Sequence, residues 1–281
     1  MSEQIHHMAL VDPKAQLGPG VKIGPFSIVG PEAKLAADVE IGPHVVIEGQ
    51  VELGAGVRVG PGTIIGTDPQ DTKFKRSTIS GVRVGAGTVI REYVTIHRAT
   101  KPEGFTEIGA NCLLMSTCHV GHDTRIGEGA IIVTEVAVGG HSEIGEYATI
   151  GGVSGLIQFS RVGAYAFIGG CAKIGRDVPP YVMADGNPCQ AHGINVVGLR
   201  RAGMPPSERR VLQEAYRLLY RSGLAPGRAL ERIRGELPAT PALMRLVDFV
   251  AAPSRRGIIP PKGGWRGAAA ESAEDLESGV V

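Results

Sequence analysis

Four of the chain's eight histidines, His97, His119, His122 and His141, fall within one stretch. Imidazole titrates near neutral pH and is the usual general base for taking a proton from a hydroxyl. Asp123 follows His122 directly, where a carboxylate can orient the ring or stabilise its charged form. Lys73, Arg200 and Arg201 offer the charged points and forks that suit a diphosphate. A solitary exterior histidine is usually just solvated, but four crowded into a nearly neutral chain ask for a chemical reason. Zinc is a second chemistry for histidines on adjacent turns. Here the spacing is His-x-x-His at 119 and 122, without a clean third ligand, so no metal is expected.

These side chains can cooperate only if the chain stacks them, and a repeat supplies the stacking. An aliphatic residue returns every six positions at Val11, Leu17, Ile23, Val29, Leu35, Ile41, Ile47, Leu53, Val59 and Ile65, most often followed by Gly. The phase slips across 67–83 and pauses over 98–107. It then runs from Ile108 to Ile174 through twelve uninterrupted hexads. Six matches neither a helical face nor two-residue strand alternation. It fits a chain that turns a corner every six residues, with three faces closing a triangular coil. Successive coils then stack as parallel strands roughly 4.8 Å apart. The predicted fold is therefore mainly β, a left-handed parallel β-helix over residues 1–180, eight to nine coils and roughly 40 Å long. The glycines are expected near corners, in backbone conformations that cost other residues more.

Stacking turns spacing into neighbourhood. His122, Gly140 and Gln158 lie eighteen residues apart and form a column, with His141 beside Gly140. His119 is expected around the preceding corner from His122. The two breaks in the repeat supply loops beside this edge, one carrying Gln70-Asp71-Thr72-Lys73. The Gly140 N–H, one coil above His122, is positioned to hold a developing oxyanion.

The pattern stops near residue 180. Residues 181–193 read as a turn-rich connection and 194–252 as an α-helical cap, with helices over 194–202, 206–222, 226–236 and 239–251. A helical cap would cover the open strand edges at the end of a β-helix. The Gly-, Ala- and Pro-rich tail over 253–281 is expected to be disordered. A net charge of +1 gives no pull towards nucleic acid, and no stretch of the sequence is apolar enough to span a membrane. The start lacks a signal-peptide pattern, and the four cysteines form no CxxC pair or disulfide framework, so a cytoplasmic protein is expected.

Particular strings now carry a resemblance from about Val11 to Arg256: Gln70-Asp71-Thr72-Lys73, Val94-Thr95-Ile96-His97-Arg98, His119-Val120-Gly121-His122-Asp123, Gly139-Gly140-His141, Gln158-Phe159, Gly193-Ile194-Asn195 and Gly198-Leu199-Arg200-Arg201. The chain resembles the acyl-carrier-protein-dependent UDP-N-acetylglucosamine O-acyltransferases that open lipid A synthesis. The resemblance implies a homotrimer with active sites in the clefts between subunits, and no cofactor. It implies that His122 takes the proton from the sugar 3-hydroxyl, Asp123 supports His122, and the Gly140 N–H steadies the oxyanion formed from the (R)-3-hydroxyacyl thioester. Gln70, Asp71, Lys73, His97, His119, His141 and Gln158 match positions around the sugar and diphosphate. Asn195 and Arg201 match positions at the nucleotide end, and Gly170 matches one that limits the acyl pocket. The basic cap, with Arg209, Arg210, Arg217 and Arg221, suits an acidic acyl carrier protein.

The chain departs from the family pattern at Ile157, where a histidine is frequent, at Val197, where an acidic residue is frequent, and at Ala202, where an arginine is frequent. The residues themselves leave two alternatives open: the same transfer to a 3-amino sugar, giving an amide, and a binding prism without catalysis. The N-acyltransferase of the same pathway carries a globular domain before its β-helix, whereas here the repeat begins by Val11.

Overall fold

The computed structural model describes residues 4–265. Its strands are mostly two residues long and build three parallel sheets, the faces of a triangular prism. Face A has eleven strands, from Gln4–Ile5 to Gln190–Ile194; face B has nine, from Leu10–Val11 to Lys173–Ile174; face C has eight, from Gln16–Leu17 to Arg161–Val162. The architecture is the left-handed parallel β-helix that the hexads predict. In uninterrupted coils the register is eighteen residues, as in His119↔Ala137 and Ala137↔Gly155. The marker aliphatics from Ile23 to Ile174 fill the interior, almost all with under a twentieth of their surface exposed. Their one-sided stack is the reason a six-residue motif suffices. Each coil alone buries too little, and its neighbours complete the core.

The glycines act differently from the expectation. At uninterrupted corners it is the third residue after the marker that takes positive φ, as in Asp38 (57°), Asp123 (58°), His141 (58°) and Tyr165 (58°). Gly66, where the first excursion begins, is the exception at φ 91°; at these corners the Gly directly after the marker has an ordinary backbone. It is small because a Cβ there would strike the next coil. At Gly18 it would lie 2.7 Å from the Ala36 carbonyl carbon, and at Gly127 2.5 Å from the Glu146 nitrogen. Close approach of coils, not backbone freedom, selects glycine there.

The second residue after the marker has another property. Its carbonyl accepts from the next coil, as in His141 N to His122 O at 2.9 Å and Asp38 N to Pro19 O at 2.9 Å. At the corners from Ala110 to Gly170 its own N–H has no acceptor among the described residues. Proline, which has no N–H, fits this position at Pro13, Pro19, Pro25, Pro31, Pro43 and Pro61.

Beyond the prism three readings need correction. Residues 181–193 are not a plain connection: Val182–Asp185 extends face A and pairs antiparallel with Gln190–Ile194. The helices are shorter at some ends than expected: α1 (Val196–Arg201), α2 (Pro206–Arg221), α3 (Pro226–Glu236) and α4 (Pro241–Ala251). The last three each begin with proline, whose missing N–H costs nothing in a first turn. The tail is not disordered from 253. Ile258 and Ile259 are buried, Asp177 N donates to Gly257 O and Ile259 N to Asp177 O, and Trp265 stacks on Tyr220. Apolar anchors at 258, 259 and 265 outweigh the local Gly and Pro content. The rest of that expectation, residues 266–281, lies outside the described residues.

Candidate active site

The edge between faces B and C brings together most of the side chains singled out in the sequence. His119 stands on the face-B strand His119–Val120, which leads straight into the corner holding His122 and Asp123. It is therefore on the face before that corner, not around a preceding one. One coil on, the same corner holds Gly140 and His141, and the next holds Gln158 and Phe159. Both interruptions of the repeat, 68–80 and 98–104, leave the prism at this edge, between Ile64–Thr67 and Gly81–Val84 and between Thr95–His97 and Phe105–Ile108.

The His122 ring is only 6% exposed at the residue level, yet it lies outside the core, packed against the edge. Its Nδ1 is 2.8 Å from Asp123 Oδ2. The same oxygen accepts from Thr100 N at 3.0 Å and Thr100 Oγ1 at 2.7 Å, and His141 Nε2 lies 3.7 Å away. Burial pushes the Asp123 carboxyl up, but the hydrogen bonds from His122 and Thr100 outweigh it and hold the pKa at about 2. An ionised Asp123 only accepts, so Nδ1 is the nitrogen that donates to it, and in the neutral ring the lone pair is on Nε2. That nitrogen faces Gly140: a Cβ on Gly140 would lie 2.6 Å from His122 Nε2 and 2.6 Å from Cε1. Gly140 occupies the corner position whose N–H the coil leaves without an acceptor. A free base nitrogen and a free backbone donor therefore stand side by side.

Below them, His119 Nδ1 meets Thr95 Oγ1 at 2.8 Å, and its ring meets His97 edge-on, with centroids 5.1 Å apart. Burial, then the neighbouring His97 and His122, depress His119 to about 4, so it is neutral. His97 Nδ1 contacts the Asp68 carbonyl. Arg98 pins the 68–80 excursion, donating to Asp68 Oδ1 at 2.7 Å and Thr78 O at 2.8 Å, with its guanidinium over Phe74. Gln70 and Lys73 are exposed on that excursion, and Asp71 Oδ1 accepts from Lys73 N at 2.8 Å. Above, the His141 ring is stacked on Phe159, centroids 4.7 Å apart and planes within 4°. Burial lowers the His141 pKa, Asp123 partly opposes, and the charges of His122, Lys101 and Arg255 lower it further.

Three residues singled out in the sequence lie elsewhere in the chain. Gly170 sits on the A–B edge, after the face-A strand Phe167–Ile168. Asn195 reaches the C–A edge, where its Nδ2 donates to Tyr165 O at 3.0 Å and its Oδ1 caps α1 through Gly198 N at 3.0 Å. Arg201 ends α1 and is exposed. In the basic cap, Arg217 is tied to Glu214 at 3.0 Å rather than standing free. Thr100 went unnoticed in the sequence, because only the path of its excursion brings it to Asp123. His122, Asp123 and His141 place one ligand-type atom each within 4.8 Å of one another, which supplies the third group that the zinc reading lacked. Asp123 Oδ2 already has hydrogen-bond partners on two sides, which suits an ionised carboxylate that orients the His122 ring.

Sequence and structure comparisons agree on what shares this arrangement. Residues 177–259 match the family described as UDP N-acetylglucosamine O-acyltransferase, domain 2, and residues 32–67 and 105–140 match bacterial transferase hexapeptide repeats. A relative named acyl-[acyl-carrier-protein]–UDP-N-acetylglucosamine O-acyltransferase, from Sulfurihydrogenibium sp., is 55% identical over 258 residues, 92% of this chain and 94% of its own. The chain belongs to that acyltransferase family. A second member, from Chlorobium phaeobacteroides, is 58% identical over 249 residues, covering 87% of this chain and 93% of its own. Among solved structures, the UDP-N-acetylglucosamine acyltransferase of Francisella novicida superposes with a TM-score of 0.89 at 36% identity, over 95% of this chain and 98% of that one. LpxA from Acinetobacter baumannii gives 0.87 at 37%, over 91% and 99%. Among the described residues, no helix is long and apolar enough to cross a membrane.

Proposed function

We propose that this acyltransferase moves an (R)-3-hydroxyacyl chain from acyl carrier protein to the 3-hydroxyl of UDP-N-acetylglucosamine, the first step of lipid A synthesis, in the cytoplasm. The observation that carries the reading is the Nε2 edge of His122 turned towards Gly140 and its spare N–H, with Nδ1 held by Asp123. His122 Nε2 takes the proton of the sugar hydroxyl as that oxygen attacks the thioester carbonyl. The carbonyl becomes an oxyanion, held by the Gly140 N–H. Collapse breaks the C–S bond, and the imidazolium returns its proton to the departing thiolate. Asp123, ionised throughout, balances the charge that appears on the ring between these steps.

The acting unit is a homotrimer, and the distribution of surface residues supports it. Face C carries charges that alternate from coil to coil, Lys34, Glu52, Arg83, Glu107, Arg125, Glu143 and Arg161, paired along the ladder. Face A carries such a ladder only in its first coils, Lys22, Glu40 and Arg58, and then turns Val89, Leu113, Ile131 and Phe167 outwards, while face B turns out Leu10 and Ile28. The edge between them adds Phe26, Tyr93 and Val153, which is 61% exposed. Packing face A of one copy on face B of the next, around an axis near the A–B edge, covers all of these. It also brings one copy's C–A edge, with Asn195 and Arg201, to its neighbour's B–C edge, with His122. The three separated groups of residues then surround one cleft, with Gly170 at its inner end. Above His119 on face B the outward residues shrink to Ala137 and Gly155, and a Cβ at Gly155 would meet nothing within 4 Å, which leaves room for an acyl chain.

The test is an assay of the purified protein with UDP-N-acetylglucosamine, its 3-amino analogue and acyl carrier proteins loaded with chains of several lengths. Ester formation with the natural sugar supports the reading. Amide formation alone would move it to the 3-amino acceptor, and no turnover with any pair would reject it.

A further inference from the structure

The end of the chain reaches the catalytic edge, and it does so by a built connection. Asp177 is fully buried and holds Arg161 at 2.7 Å and Ser254 Oγ at 2.6 Å. Ser254 Oγ in turn accepts from Arg256 N at 3.0 Å and Gly257 N at 2.9 Å. Arg256 Nε donates to the Gln158 carbonyl at 2.9 Å. Residue 255 is thus held through both of its neighbours, and the Arg255 guanidinium lies over the Phe159 ring, 4.1 Å from its centroid. Phe159 is the face on which His141 stacks, and His141 meets His122 edge-on at 5.0 Å. Four planar groups therefore run up the B–C edge, from the base to an exposed cation.

No carboxylate pairs with Arg255 among the described residues. A guanidinium stacked on a ring keeps its N–H edge directed sideways, where it can grip an oxyanion in two places. A substrate engaged by His122 and His141 and running up this edge brings its own anionic group to that height. We infer that Arg255 binds phosphate, namely the diphosphate of the sugar nucleotide, on a platform made by Phe159. The inference rests on the acyl transfer proposed above. It gives the site a cation supplied by the same chain as the base, whereas Arg201 would come from a neighbouring copy.

The test is steady-state kinetics of Arg255→Ala, Arg255→Lys and Phe159→Leu in the full-length protein, with both substrates varied and thermal unfolding measured alongside. For Arg255→Ala the KM for UDP-N-acetylglucosamine should rise about ten-fold with kcat within about two-fold and the midpoint of unfolding unchanged. Arg255→Lys, which keeps charge but loses the fork, should fall between. Phe159→Leu should move the same KM in the same direction. A rise confined to the KM for acyl carrier protein would overturn the assignment in favour of the carrier's phosphodiester. Unchanged KM values with wild-type turnover intact would overturn it altogether. A wild-type protein that transfers no acyl group would instead mark failure of the underlying reading, and direct binding of UDP-N-acetylglucosamine to wild type and Arg255→Ala would then decide the question for Arg255.

Discussion

His122 Nδ1 stands 2.8 Å from Asp123 Oδ2, and these two neighbours in sequence are joined across a corner where Asp123 adopts a φ of 58°. An aspartate on an ordinary extended strand would point to the opposite face from its neighbour. The left-handed corner swings both side chains to the same edge, so the fold itself makes a base and its partner out of adjacent residues.

That pair gives the first expected outcome. His122→Ala should lower kcat by about a thousand-fold or more, with assembly state unchanged, since it removes the imidazole nitrogen beside Gly140. Asp123→Asn should also lower kcat, by about a hundred-fold to ten-thousand-fold, by releasing the tautomer and the imidazolium. Turnover of His122→Ala near the wild-type rate would refute the role of the ring. Size-exclusion chromatography distinguishes lost chemistry from lost assembly.

Gly140→Ala offers a sharper probe, because it adds one carbon and no charge. The new methyl would lie 2.6 Å from His122 Nε2, so the ring must rotate away from Asp123 or the corner must shift. Misplacing a catalytic group by about an ångström can cost on the order of a hundred-fold in kcat. Circular dichroism and the midpoint of unfolding should change little, since Gly140 takes no part in the core. Full activity in this variant would mean that the base works elsewhere.

Stability should depend on pH through His119, whose pKa drops from 6.5 unfolded to about 4 in the fold. Between those values the unfolded chain binds more protons, so stability rises with pH across that window and levels off above it. His141, also depressed, adds in the same direction. Asp123 contributes the opposite kind of group: its stabilisation is complete above the ordinary carboxylate range and is lost as pH falls towards 2. Unfolding midpoints measured from pH 4 to 7 should therefore climb, and His119→Gln should flatten the climb. An equal slope in that variant would show that another group carries it.

Acyl-chain length gives a fourth outcome, tied to the trimer. A Cβ at Gly170 would approach the Gly152 carbonyl oxygen to 3.2 Å, so a side chain there must extend outwards, towards the cleft proposed between copies. Gly170→Met should shift preference to donors several carbons shorter, read by competition between acyl carrier proteins of different loading. An identical length profile would remove Gly170 from the acyl pocket.

Much of this was legible before any coordinates. The marker aliphatics declare the prism because each must point inwards once per face, and a single misplaced one would leave a void in its coil. The column of His122, Gly140 and Gln158 follows from the same arithmetic, since no residue is inserted between 108 and 174. Where the chain leaves that rhythm, arithmetic stops. Thr100 reaches Asp123 through an excursion whose path depends on tertiary contacts, and Ser254 finds Asp177 across the whole helical cap. The post-marker glycines escape the arithmetic for a related reason. Their constraint comes from the coil above, not from their own dihedral angles. Asn195 illustrates a further limit: its side chain both caps α1 and bonds the Tyr165 carbonyl, a double engagement that its spacing does not reveal.

The unused corner N–H has a wider consequence. At most of its described corners the prism presents a main-chain donor that the fold can do without, which is why proline interrupts nothing at Pro19 or Pro43. An anion-holding group at such a place is intrinsic to the scaffold. A reactive centre needs only a glycine to uncover the donor and a suitable neighbour one storey below. New chemistry could therefore arise at another level of the same tower by two substitutions, without disturbing the interior that keeps it standing.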